Sequence, residues 1–528
     1  MTSVELPALP TPPKRPRKWT VLRWSLLLGG LTFLVIIVVS LFLLSPRFLK
    51  PRVEKELSTR LGLDVTLGTM SLAMRPHLRV SGTNMVFRVP SQPELPPFIA
   101  IDSFWVDVGP FSALRGHVGT VHLQGMKIAV PPGDKKDALR NGDGTGTGGG
   151  KIIVDLLETR DAVLTVLRRD PGREPLVFRI HEMDVRDVGF DRDMPFSVEL
   201  TNPVPEGQVK STGQIGPWQK ADPTNLPVSG TYAFTLANLD TIKGIGGTLT
   251  SEGRYAGRLN EIAVEGRAQT PDFNLDLGGQ PVPLIATFKA VVDGSDGSTR
   301  LDEVDATLFH TALKVNGLID NLPGPGGHDI KLNVAVVSGR IEDLLALTMD
   351  AKKPLLTGDV TMKGTVALPP GKGSVRNRLA MAGLFGLKRG EFTDTAVQGK
   401  LQELSRRSQG KDVEEHTSRV LSDLSGQFKL AQGVMNIPDL QFVVPGAKVA
   451  LHGTFNLASG DLDFGGTLRM QARMSQVVGG MKSVFIRPFD WMFKRPDAGT
   501  VVPITVRGTR ESPKMGVEVG KILKRSAK

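Results

Sequence analysis

Residues Val449–Met470 read VALHGTFNLASGDLDFGGTLRM, and taken in twos they decide the fold class. Val449, Leu451, Phe455 and Leu457 share one parity, while Ala450, His452, Thr454 and Asn456 take the other. After Ala458-Ser459-Gly460, Leu462, Phe464, Leu468 and Met470 alternate with Asp461, Asp463, Thr467 and Arg469. Successive strand side chains point to opposite faces, so the stretch predicts a hairpin with one wet and one apolar face. That apolar face either packs a core or holds something.

The same device recurs. The pattern apolar, any, apolar, any, glycine appears as LRVSG (78–82), VHLQG (121–125), LPVSG (226–230) and IAVEG (262–266). It returns as LKVNG (313–317), VTMKG (360–364), VALHG (449–453) and ITVRG (504–508). The glycine keeps the apolar parity and leaves a gap in that face, marking a bend, a bulge or a close approach. Irregular spacing excludes a strict solenoid and predicts one long meandering sheet.

Helical pattern is scarce. Thr395–Ser408 is the best candidate, with Val397, Leu401 and Leu404 on one side, and Gln476–Arg495 is the second, broken at Pro488. An apolar sheet face needs cover. With so few helices, the sheet packs on another sheet, closes into a barrel or curls into a trough. The predicted class is mainly β: one N-terminal transmembrane helix, then an elongated, curled antiparallel sheet of trough-like repeating units with few short helices.

The transmembrane helix is Trp24–Leu44, 21 residues without a charge, enough for one bilayer crossing. Lys14, Arg15, Arg17, Lys18 and Arg23 precede it, which keeps the N-terminus cytoplasmic and sends residues 46–528 across the membrane. A cleaved signal peptide is the competing reading. The apolar run is long for one, and no small-x-small site surrounds Ser45. Ser45–Leu63 then reads as a short amphipathic helix leaving the membrane.

The net charge of +11 sits at the two ends. Residues 1–23 carry five basic and one acidic residue, and 482–528 carry eleven and four, leaving 24–481 balanced at 49 of each. A nucleic-acid binder carries its basic stripe on the folded domain, so no nucleic-acid partner is expected. Basic ends suit anionic lipid surfaces or are solvated tails. The absence of cysteine rules out disulfides, thiolate metal ligands and a cysteine nucleophile.

The expected organisation is a basic tail (1–23), the span (24–44), an N-terminal β unit (46–140), a glycine-rich linker (141–150), a central β region (151–354), a C-terminal β region (355–512) and a basic tail (513–528). The linker NGDGTGTGGG contains a formal GxGxxG, but it neither follows a strand nor opens a helix. Eight histidines show no HxxxH or HxH pair, and Asp293–Thr299 lacks the acid spacing of a calcium loop. Asp184, Asp187, Asp191 and Asp193 read as polar positions between strands. No catalytic, cofactor or metal site is expected, and no enzyme. The candidate apolar-cargo positions are Val360, Met362, Val449, Leu451, Phe455, Leu457, Leu462 and Phe464. Phe485, Arg487, Phe489, Trp491, Phe493, Lys494 and Arg495 mix aromatics with cations. They suit a membrane or partner contact, or cap the end of the β core.

The ordered set of segments resembles a family. The span followed by residues 48–87, FLKPRVEKELSTRLGLDVTLGTMSLAMRPHLRVSGTNMVF, resembles the N-terminus of bacterial AsmA-like proteins. DLLETRDAVLTVLRRDPGREPLVFRIHEMDV resembles their next β segment. LLTGDVTMKGTVALPPGKGSV, FTDTAVQGKLQELSRRSQG, GVMNIPDLQFVVPGAKVALHGTFNL, LDFGGTLRMQA and VPITVRGT resemble their C-terminal region. The likeness covers most of 24–512. It implies a bacterial inner-membrane anchor, a periplasmic β body similar to bridge-like lipid transfer proteins, and a role in phospholipid traffic to the outer membrane and envelope integrity. Phospholipids, the inner membrane and outer-membrane or periplasmic envelope proteins are the implied partners. The chain is shorter than the family's long bridging members. The competing expectation is a structural or assembly factor for outer-membrane biogenesis, with a dry core and no lipid conduction.

Overall fold

The computed structural model describes residues 50–517 with interruptions, the longest at 131–152, 410–419 and 472–493. The expected span, Trp24–Leu44, and the linker 141–150 lie outside the described residues, as do Phe485, Arg487, Phe489, Trp491 and Phe493. Among the described residues, no helix is long and apolar enough to cross a membrane.

Period-two alternation yields strands over 74% of the described residues. β1 (Asp64–Thr66) and β2 (Met70–Arg75) lie end to end along β3 (His77–Arg88). β4 (Ile99–Val108) and β5 (His117–Val130) follow antiparallel, and β6 (Ile153–Val166) then runs parallel to β5. An antiparallel meander begins with β7 (Leu176–Val188), β8 (Met194–Pro203), β9 (Glu206–Ile215) and β10 (Pro227–Asn238). It continues through β11 (Ile245–Gly246), β12 (Thr248–Arg258), β13 (Glu261–Leu275), β14 (Val282–Val292), β15 (Thr299–Leu308) and β16 (Thr311–Asn321). Next come β17 (His328–Arg340), β18 (Leu356–Leu368), β19 (Ala380–Phe392), β20 (Ser422–Ala431) and β21 (Val434–Val444). The chain ends in β22 (Ala447–Asn456), β23 (Asp461–Met470), β24 (Lys494–Arg495), β25 (Gly499–Thr509) and β26 (Ser512–Val517). The 26 strands among the described residues belong to one sheet, which curls but stays open. β11 and β24 are two-residue pieces, so 24 strands carry it.

Two expectations need correction. The sheet is not antiparallel throughout, because His117–Val130 pairs in parallel with Ile153–Val166. Parallel neighbours need a crossover of a dozen or more residues, and 131–152 is that connection. The glycine-rich stretch therefore joins two hydrogen-bonded neighbours of one sheet. The helix expected over 476–495 does not reach its end: Lys494 and Arg495 pair as a strand with Thr500 and Gly499. Antiparallel pairing with β25 offers their backbone groups a ladder instead of a helical turn.

The other expected helix is present as α3 (Thr395–Gln409), alongside the shorter α1 (Ile341–Ala346) and α2 (Val375–Arg378). Lys50, Pro51, Glu54, Lys55 and Ser58 are helical and cap the first strands. Ser58 Oγ accepts the Val65 N–H at 3.0 Å, Glu54 Oε1 accepts the Leu67 N–H at 2.8 Å, and Lys50 Nζ donates to the Gly68 carbonyl at 3.0 Å.

One large apolar core lies in β1–β8, where Val80, Val121 and Val154 are 0% exposed and Phe87, Phe98 and Ile101 are buried with them. Residues from β5 and β6, on both sides of the crossover, share this core. Beyond it the buried residues thin out into two small clusters at one rim of the sheet.

Candidate functional site

The apolar parity of β12–β23 forms a continuous inner surface, and strand register assembles it. Val360 faces Leu387, which faces Leu424, then Phe442, Val449 and Leu468, one side chain per strand. A second row runs Met362, Phe385, Gly426, Leu440, Leu451 and Gly466. A third runs Val366, Met381, Leu430, Met435, Phe455 and Leu462. Candidates some ninety residues apart in sequence thus lie on common rows crossing the strands. Each row follows the length of the sheet, the direction in which an elongated apolar cargo would lie.

Exposure differs between rows. Val360 is 3% exposed, packed with Val336 and Leu387 beneath Ile341 and Leu344 of α1. Val449 and Phe464 are buried as well. Met362, Leu451, Phe455 and Leu462 are half-buried, and Leu457 lies in the hairpin turn, its N–H donated to the Gly433 carbonyl at 2.9 Å. The same half-buried alternation fills β12, β13 and β14, and among the described residues no helix packs extensively on these strands, whose apolar parity includes Ile262, Val264 and Phe288.

Four of the eight glycines of the repeated pattern have an aromatic partner. Gly82 faces Phe104, Gly230 faces Tyr255, Gly266 faces Phe288 and Gly453 faces Phe464 across neighbouring strands. Gly253 with Tyr232, Gly383 with Phe428 and Gly426 with Phe385 repeat the pairing outside the pattern. A methyl group on Gly453 would stand 2.8 Å from Phe464 Cδ1 and 2.1 Å from the Asp463 carbonyl oxygen. The ring therefore lies over the bare backbone, and an aromatic fills the gap that glycine leaves. Of the bend, bulge or close approach expected at these glycines, the structure shows a close approach, by a ring of the neighbouring strand. The available signal was an aromatic on the apolar parity of the adjoining strand, but its register is set only in the sheet.

Both tyrosines of the chain belong to this lining. Tyr232 Oη and Ser251 Oγ lie 3.1 Å apart, and Tyr255 Oη and Ser211 Oγ 2.8 Å. Burial pushes both phenols above their ordinary pKa, against the smaller opposite effect of those hydrogen bonds.

The rim formed by the ends of β13, β15, β17, β19, β21 and β23 is plugged by α1 and α3. The buried Asp343 carboxylate of α1 accepts the His310 N–H at 3.0 Å and the Thr311 hydroxyl at 2.8 Å. On α3, Gln398 Oε1 accepts the Phe392 N–H and Nε2 donates to the Val420 carbonyl at 2.8 Å. Ser405 Oγ donates to the Pro445 carbonyl at 2.7 Å. Leu404 then packs against the cluster of Val444, Ala447 and Met470.

Among the described residues there is no grouping of three or more metal-ligating side chains. Asp184 lies within β7 and Asp187 near its end, while Asp191 and Asp193 occupy the turn into β8, so the four are not gathered at one point. Comparison with protein-family models, with curated proteins and with solved structures finds no match.

Proposed function

We propose that this chain is an AsmA-like, single-pass inner-membrane protein whose periplasmic sheet shields lipid acyl chains in an apolar trough. It thereby supports phospholipid transport between the inner and outer membranes and envelope integrity. The observation that carries the reading is the inner face of β12–β23, which is apolar, continuous across strands and, away from the rim packed by α1 and α3, half-exposed among the described residues. Each acyl CH₂ exposed to water costs about 0.8 kcal/mol, so a two-chain lipid crossing water alone faces on the order of 20 kcal/mol. A face of half-exposed Leu, Val, Met and Phe removes most of that cost, and it offers no polar anchor to arrest sliding chains. With strands about 4.8 Å apart, the sheet has a contour on the order of 100 Å.

A photo-crosslinking residue at Leu451 in living cells tests this. Lipid adducts are expected, and Leu451→Asp with Phe455→Asp should abolish them while the sheet persists. Purely intramolecular products would sink the conduit. The second reading, a structural or assembly factor for outer-membrane biogenesis, draws on the outside of the packed rim. There Leu236, Ile285, Phe309, Val337, Leu421 and Val443 are all exposed, the kind of edge that a protein partner covers. Protein adducts at these positions together with a lipid-free inner face would favour it.

A further inference from the structure

The outer face of the sheet neutralises its charges strand by strand. Arg254 meets Glu265, Lys289 meets Glu303, Lys314 meets Asp305 and Arg507 meets Asp463, all at 2.7–3.1 Å. Like charges also face each other at Glu182–Glu199, Asp320–Asp329 and Arg507–Lys514, but there at least one member is ion-paired, with Arg160 and Lys210, with Lys331 and with Asp463 respectively. One further pair differs. Lys448 of β22 lies directly opposite Arg469 of β23, and among the described residues neither has an ion-pair or hydrogen-bond partner. Like charges facing each other destabilise a sheet, so the pair costs the fold something and gives it nothing.

The two cations line a recess of about 790 Å³ on the outside of the packed rim. Leu421 and Val443 share its wall and are 44% and 40% exposed. Asp423 is the acid in the lining. Val443 separates it from Lys448 in the cross-strand row, and its Oδ1 already accepts the Arg389 N–H at 3.1 Å. The recess thus joins uncompensated positive charge to exposed aliphatic side chains.

We propose that this recess binds the phosphate of an anionic phospholipid at a bilayer surface. Lys448 and Arg469 hold the headgroup, while Leu421 and Val443 enter the boundary of the acyl region. A free phosphate would engage the cations but gain nothing from the exposed leucine and valine, and charge together with apolar exposure selects the bilayer. The site is on the opposite face of the sheet from the trough lining and does not depend on lipid occupying that lining.

The test uses the full chain in phosphatidylcholine nanodiscs, capturing free vesicles of phosphatidylcholine with or without phosphatidylglycerol. Vesicles with phosphatidylglycerol should be captured and neutral vesicles should not. Lys448→Ser with Arg469→Ser should weaken capture on the order of fivefold per cation, roughly 25-fold together. The charge-conserving exchange Lys448→Arg with Arg469→Lys should retain it. The serine variants relieve a like-charge contact, so their melting temperature should not fall, which separates loss of binding from loss of fold. Leu421→Ser with Val443→Ser should weaken vesicle capture while leaving any competition by inorganic phosphate unchanged. Equal capture of neutral vesicles, or unchanged capture by the serine variants at 448 and 469, would overturn the proposal. Capture blocked by inorganic phosphate and indifferent to Leu421 and Val443 would assign a free-phosphate site and overturn it too. Lipid adducts at Leu451 are read on the same samples, so failure at the rim and failure of the trough register separately.

Discussion

The first eight strands and the strands from β12 to β23 carry the same alternation and treat it differently. In β3–β6 the apolar parity is sealed: Val80, Val121 and Val154 have no exposure at all. In β12–β14 the same parity, Val264 and Phe288 included, stays half-exposed. Even the glycine–aromatic pairing is shared, Gly82 with Phe104 in the first region and Gly266 with Phe288 in the second. Alternation says which face is apolar; it does not say whether anything covers that face.

The matched rings offer the largest test of this difference. Phe104→Ala should cost about 3–5 kcal/mol, as expected for a ring lost from a sealed core. Phe288→Ala should cost less than half of that, because its ring keeps part of its contact with solvent. Hydrogen exchange of the β3–β5 and β12–β14 amides reads the two separately, and equal losses would break the comparison. Gly453→Ala comes next. Its methyl meets both the Phe464 ring and the Asp463 carbonyl oxygen, so the β22–β23 hairpin should lose about 1–3 kcal/mol. A neutral result would mean that the ring does not rest on the glycine.

Asp343→Ala should loosen the rim by about 1–3 kcal/mol, because it strips the Thr311 hydroxyl and the His310 N–H of their acceptor. Faster exchange confined to 341–346 and the β15–β16 turn is expected, with β3–β6 unaffected. The smallest effect is the titration of the tyrosines. Burial raises both pKa values, so whatever stability they contribute is fully present below the ordinary tyrosine value near 10. It is lost as pH rises through the higher folded values. Ultraviolet absorbance of the native chain should show both phenols ionising above the denatured reference. Coincident curves would mean that the inner face around β10–β12 is fully wet.

The hairpin at 449–470 was readable because period two is local: each side chain's face follows from its neighbours along the chain. The turn at 458–460 was equally local, with Asn456 Oδ1 accepting the Ala458 and Ser459 N–H groups and Gly460 at a positive φ. α3 was readable from Leu401 and Leu404 one turn apart. The parallel step from β5 to β6 was hidden, because hydrogen-bonded partners 36 residues apart leave no local mark. The candidate lining was legible as a parity but not as rows. Nothing in either segment shows that Val360 and Val449 share a row, or that Val360 lies beneath α1. The unpaired cations at 448 and 469 were invisible for the same reason, since each reads alone as an ordinary wet-face residue.

The sequence by itself determined the alternation, the scarcity of helices, the glycines on the apolar parity and the charge at the chain's two ends. Those properties depend on residues a few positions apart, where backbone geometry alone dictates the outcome. Only the tertiary structure decided which strands are neighbours, where rings settle over glycines, which part of the apolar face is sealed and which like charges face each other. Burial and pairing are properties of residues far apart in the chain, and they exist only once the sheet has assembled.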